Sequence, residues 1–311
     1  MISRIETAGL FLVPLDDEGR WHRYHHLFAE TLRARLRALE PGAEAEVLAR
    51  AAVWHESRGN QESALELYLR AGNQADAARV LEGLDFLRKG ELATLDRYIE
   101  AVGEAEIRKR ARLDDLAAWV RFFQGRIPEA EAWMARTAGD IDRFGGRDGA
   151  YLRGSHAALR AFILLLRGRN PEAAAEAKAA EADLAPGDYY PLGVAFFALG
   201  VALRAEGRFD AARAEFDRLR ALGETYDSPW SVAVARYELG TTAALAGRLG
   251  EAERFFEEAL TEATRGKAPF GSVTKLRAAY ADILYERGDI ERAESQAAEA
   301  LAATQPGVNP N

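Results

Sequence analysis

The stretch Leu199–Phe216, LGVALRAEGRFDAARAEF, decides the fold. An apolar helix-forming run ends at Gly207, the residue type that takes the left-handed conformation closing a helix. Three residues on, Asp210 opens a second run, with its negative charge near the positive end of the new helix. Ala212 lies five residues after the Gly and Phe216 four residues further, so both fall on one helical face. A small residue there lets two helices cross closely, and the large one fills the space beside the crossing.

The same pattern recurs along the chain. QGRIPEAEAWM carries Gly125, RGRNPEAAAEA Gly168, AGRLGEAERFF Gly247 and RGDIERAESQA Gly288; with Gly207 the spacings are 43, 39, 40 and 41 residues. RGNQESALELY at Gly59 is a looser copy, and AGNQADAARVL at Gly72 a half-copy. The alanine recurs as Ala64, Ala130, Ala173, Ala252 and Ala293, and the large residue as Tyr68, Met134 and Phe256. Gly200 and Gly240 each precede their turn glycine by seven residues. The small–large placement resembles the tetratricopeptide repeat, whose usual period is about 34 residues. One such unit cannot bury its apolar face alone. The expected fold is therefore all-α: a right-handed superhelix, an α-solenoid of tetratricopeptide-like helix-turn-helix repeats, preceded by a short N-terminal β-hairpin.

Composition excludes several classes. The 311 residues are 48% hydrophobic and 29% charged, enough to build a core, and contain no cysteine. Disulfides, thiolate zinc sites and cysteine nucleophiles are ruled out. A formal charge of −8 argues against direct nucleic-acid binding. No apolar run approaches the ~18 residues of a membrane span, and the start lacks a signal-peptide pattern. The expectation is a cytoplasmic protein that engages no membrane.

The N-terminal stretch LFLVPLDDEGRWHRYHH, residues 10–26, stands apart. Residues 10–15 and 21–24 read as short strands around an Asp-Asp-Glu-Gly turn, and a helix is expected from His26 to Leu39. His22, His25 and His26 invite a zinc reading. Adjacent histidines at a strand-to-helix passage point apart, however, and no H-E-x-x-H or cysteine completes a site. A structural role is favoured and no metal is expected.

Residues 10–82, from this stretch through LARAAVWHESRGNQESALELYLRAGNQADAARVLE, resemble a junction in the MalT-like large ATP-dependent transcription regulators of LuxR type. In that family an ATPase module ends in a winged-helix domain, a superhelical sensor domain follows, and a helix-turn-helix closes the chain. The resemblance implies a non-catalytic, effector-binding sensor domain; with no helix-turn-helix following, the chain is expected to be cut from a longer regulator, a natural stand-alone relative being the alternative. Residues 1–40 would be the end of the winged-helix arm, 41–305 the repeat superhelix and 306–311 a flexible tail. Trp21, Tyr24, His25 and His26 would then contact the neighbouring ATPase and winged-helix module. No G-x-x-x-x-G-K-[ST] occurs, and Gly266-Lys267 lacks the flanking residues, so ATP is expected only in an upstream module and no cofactor in this chain.

No catalytic constellation is visible. Asp114-Asp115 and Glu257-Glu258 read as solvated helix faces, and His55 and His156 as isolated structural histidines. A glycosidase built on distant carboxylates would not need the repeated Gly-then-Ala turn. The remaining candidate surface is the inner face of the superhelix. Counting back from each turn Gly places there Arg112, Asp115, Trp119 and Phe122, then Phe162 and Arg204, then Tyr237 and Thr241, then Lys275, Asp282 and Tyr285. Such a face suits a small polar effector; the rival reading is a scaffold that binds a peptide or protein partner.

A second periodicity lies between repeats. Tyr151, Tyr190 and Trp230 precede their turn Gly by 17 residues, and Phe270 by 18. Regular recurrence favours aromatics that pack against the preceding repeat; platforms for a ligand are the sharper alternative. Tyr189, Tyr226 and Asp227 stand outside that register.

Overall fold

The computed structural model describes residues 12–14, 22–84, 92–262 and 270–302. Trp21, Gly266-Lys267 and the 306–311 tail lie outside them. The chain forms two compact units, Met1–Leu113 and Asp114–Asn311.

In the first unit, β1 (Leu12–Pro14) pairs antiparallel with β2 (His22–Tyr24), in the register Leu12 with Tyr24 and Pro14 with His22. Pro14 thus sits at a strand end, where its missing N–H costs least. Helix α1 (His26–Leu39) begins where the sequence pattern turns helical and packs on α2 (Ala43–Ser57). Helices α3 (Gln61–Arg70), α4 (Gln74–Glu82), α5 (Leu92–Val102) and α6 (Glu104–Ile107) follow. Glu56 ties three of them: Arg79 reaches it with two bonds of 2.6 and 2.9 Å, and the Tyr68 hydroxyl donates to it at 3.0 Å.

The second unit begins inside α7 (Ala111–Phe123). After it come α8 (Ile127–Thr137), the short α9 (Ile141–Phe144), and the pairs α10 (Gly146–Leu166) with α11 (Asn170–Asp183) and α12 (Tyr189–Ala205) with α13 (Phe209–Thr225). Two further pairs are α14 (Pro229–Leu245) with α15 (Leu249–Glu262), and α16 (Phe270–Glu286) with α17 (Ile290–Ala302). First helices of consecutive pairs touch, α10 with α12, α12 with α14 and α14 with α16, forming one layer of a solenoid.

The turn glycines do what the sequence requires of them. Gly207 has φ +74°, donates to the Arg204 carbonyl, and lets Arg208 N–H reach the Leu203 carbonyl. These two bonds satisfy carbonyls that the helix end would leave open. Behind the turn, Ala212 and Phe216 are fully buried. Burying a Phe is worth about 2–3 kcal/mol. Its ring occupies the space that Gly200 leaves: a Cβ there would lie 2.6 Å from Phe216 Cε1. Gly240 receives Phe256 with the same 2.6 Å clearance. Exposed to half-buried ion pairs step from one pair to the next, Arg167 to Glu131, Arg218 to Glu181 and Arg213 to Glu251. Each is worth at most about 1 kcal/mol.

Candidate functional site

Two features of the second unit lie in its first-helix layer. One is a node between α7 and α10. Asp115 Oδ2 accepts from the Tyr151 hydroxyl at 2.8 Å and from Ser155 Oγ at 2.7 Å, and Ser155 in turn accepts from Trp119 Nε1 at 2.9 Å. Asp115 Oδ1 and His156 Nε2 stand 3.9 Å apart without a hydrogen bond. Burial pushes the Asp115 carboxyl up to about 7, against the opposing bonds from Ser155 and Tyr151. Burial, and secondarily Arg160, lowers the His156 imidazole to about 4. Asp114 is buried as well, accepting from Trp133 Nε1 at 2.9 Å. The Asp114-Asp115 pair is therefore no solvated face. Asp115 and Trp119 are likewise not open to the inner surface, because α10 and Tyr190 of α12 cover them. Trp119 meets the Tyr190 ring edge-on at 5.3 Å. Glu257 and Glu258 are exposed, as the sequence suggests.

The second feature is a cavity of about 320 Å³. Its walls are Phe162 of α10, Tyr190 and Phe197 of α12, and Trp230 and Tyr237 of α14, with Leu219, Ala259 and Leu276 closing it. Phe162 belongs to an aromatic run, 5.1 Å from Phe122 on one side and 5.2 Å from Phe197 on the other. Three polar side chains join the lining: Ser231, Glu238 and Lys275. Glu238 is fixed by the preceding pair: Arg204 Nη1 donates to Glu238 Oε2 at 2.5 Å and lies 3.4 Å from Thr242 Oγ1. The two side chains are only 15% and 10% exposed. Burial holds the Glu238 carboxyl above its ordinary range, opposed by Arg204 and Lys275.

Of the residues assigned to the inner face, the cavity gathers Phe162, Tyr237 and Lys275, with Arg204 behind Glu238 and Phe122 against Phe162. Thr241 is half-buried and donates to the Tyr237 carbonyl at 2.9 Å. Asp282 and Tyr285 are exposed on α16, and Arg112 is exposed in the first unit. Sequence reading missed Phe197, Ser231 and Glu238. For Tyr190 and Trp230, the 17-residue register was the available signal. Tyr151 packs as expected from that register, and Tyr189 stacks on Tyr226 at 5.0 Å. At the N-terminus, the Tyr24 ring lies 5.5 Å from Phe28, and His25 and His26 are exposed. Among the described residues, no group of three or more His, Asp or Glu side chains could hold a metal ion, and no helix is long and apolar enough to cross a membrane.

Paired helices stacked with a cavity in their first-helix layer define a tetratricopeptide-type solenoid. The chain belongs to the MalT-like TPR family: the model of the MalT-like TPR region matches residues 154–311. The MalT winged helix domain model matches residues 1–44, and a tetratricopeptide repeat model matches 111–136. The HTH-type transcriptional regulator MalT of Vibrio cholerae is 28% identical over 178 residues, 57% of this chain and 20% of that protein. The chain thus spans about a fifth of that relative's length. Among solved structures, BtubC from P. vanneervenii has a TM-score of 0.52 at 19% identity, covering 80% of this chain and 94% of that one. A STAND signal-transduction ATPase with a tetratricopeptide repeat sensor, from Pyrococcus horikoshii, also gives 0.52, at 12% identity over 99% of this chain and 52% of that one. Both share the fold.

Proposed function

We propose that the chain is the effector-sensing region of a transcription regulator and binds a small molecule in the cavity of its second unit. The observation that carries this reading is the cavity itself. Its lining draws on four successive first helices, α10, α12, α14 and α16, and a buried ion pair joins two of them. Concave, largely apolar sites with a few placed polar groups are where small ligands bind. Membership of the MalT-like TPR family and the name of the Vibrio relative support a regulatory role.

In this reading the chain binds and does not catalyse. Trp21, Tyr24, His25 and His26 face a neighbouring ATPase and winged-helix module, which is where ATP binds; DNA contact belongs elsewhere in the regulator. Such coupling works only if the effector binds the active and resting states with different affinity.

The test is a thermal-shift screen of the 311-residue chain against sugars, nucleotides, amino acids and organic acids. Calorimetry of each hit follows, on the unaltered chain and on Ala233→Phe, which fills the cavity. Saturable binding that Ala233→Phe abolishes supports the sensor. A stoichiometric protein partner, indifferent to that substitution and to every small molecule, would support the interaction scaffold instead.

A further inference from the structure

Apart from its tyrosines, the cavity lining carries two ionisable side chains, Glu238 and Lys275. They are not equivalent. The charge of Glu238 is matched within the protein, because Arg204 donates to it at 2.5 Å and both side chains are buried. Lys275 is exposed; its charge is felt by Glu238, but it forms no ion pair among the described residues. The lining and its immediate support therefore hold one positive charge in excess, at Lys275. A proton taken up by Glu238 would only enlarge that excess.

The aromatic walls narrow the choice further. Aromatic faces can house a cation through their quadrupoles, but Arg204 and Lys275 oppose a second positive charge there. A polyol would leave hydroxyls against Phe162, Phe197, Val194 and Leu219, which offer no hydrogen bond. The size is at the low end for small-molecule sites, room for one or two rings.

Resting on the reading of this cavity as an effector site, we propose that its ligand is a small aromatic monocarboxylate. The ring lies among Phe162, Phe197, Trp230 and Tyr237, and the carboxylate meets Lys275. The Arg204–Glu238 pair stays closed beneath it, so the lysine alone reads the charge.

Calorimetry of the 311-residue chain with three probes of similar size tests this: phenylacetate, its isostere phenylacetamide, and 2-phenylethylamine. Phenylacetate should bind about 10-fold tighter than the amide, with the amine weakest, and the advantage should shrink as salt is raised. In Lys275→Gln the acid should fall to within about 2-fold of the amide while amide affinity stays unchanged, and in Lys275→Glu the amine should become the preferred probe. Lys275 is exposed, so unchanged thermal unfolding checks that both variants fold. Amide or amine binding as tight as the acid in the unaltered chain overturns the ligand class and leaves the effector site standing. Binding of none of the three also overturns it; the effector site then stands or falls on whether any compound of the wider screen binds in an Ala233→Phe-sensitive manner.

Discussion

The ring of Phe216 fills the place of the side chain that Gly200 lacks, 2.6 Å from where a Cβ would be. The glycine is there for the neighbour's volume, not for its own backbone freedom, since it lies inside α12 with ordinary helical geometry. Gly200→Ala should therefore destabilise by about 1–3 kcal/mol through overpacking, although alanine is the better helix former by about 1 kcal/mol. Urea unfolding measures it, and a stabilised variant would show that the ring has room to move. Gly207→Ala should cost about 1 kcal/mol for a different reason, its φ of +74°.

Arg204 and Glu238 join consecutive repeats across 34 residues of sequence. Arg204→Met leaves a buried carboxylate without its partner and should cost about 3 kcal/mol. Adding Glu238→Gln to it should recover part of that loss, because the burial of an unmatched charge is then relieved. A double-mutant cycle with no coupling would contradict this.

Asp115 and His156 should give the second unit two opposing pH slopes. The Asp115 carboxyl is raised from 3.8 to about 7, so its contribution to stability is complete below 3.8 and is lost as pH rises toward 7. The imidazole of His156 is lowered from 6.5 to about 4, so its contribution is complete above 6.5 and is lost as pH falls toward 4. Between about pH 4 and 6.5 the two nearly cancel. Asp115→Asn should reveal stability rising with pH in that window, and His156→Gln should reveal stability falling with it. Chemical denaturation at several pH values reads both; slopes of the same sign in the two variants would refute the assignment.

Trp133 donates its indole N–H to the buried Asp114. Trp133→Phe keeps most of the packing and removes that donor, so a loss of about 1–2 kcal/mol is expected. Trp133→Ala should lose more, since the cavity adds to it.

The repeat architecture was legible because its punctuation is local. A turn glycine, an alanine five residues on and a large residue after it are each dictated within one helix pair, and Ala212 and Phe216 are buried as that spacing demands. The cavity was less legible because it is made between pairs. Nothing near Glu238 announces its burial, which depends on Arg204 in the preceding repeat. Counting back from Gly125 put Asp115 on the right side of its helix, but helical phase does not say whether another helix covers that side. Here Tyr151 and Ser155 do.

The cavity lies at the joint between successive helix pairs rather than within one pair. Helix α14 is 17 residues long and contributes Trp230 at one end of the lining and Glu238 in its middle. At 1.5 Å per residue it measures about 25 Å, so a tilt of about 5° at the joint carries its far end about 2 Å. Among the described residues, the pair α16–α17 follows, and α16 packs on α14, so the displacement is carried into that pair. A molecule no larger than a ring or two, by setting the angle at this joint, would thus act on a long lever whose output is the position of the final helices.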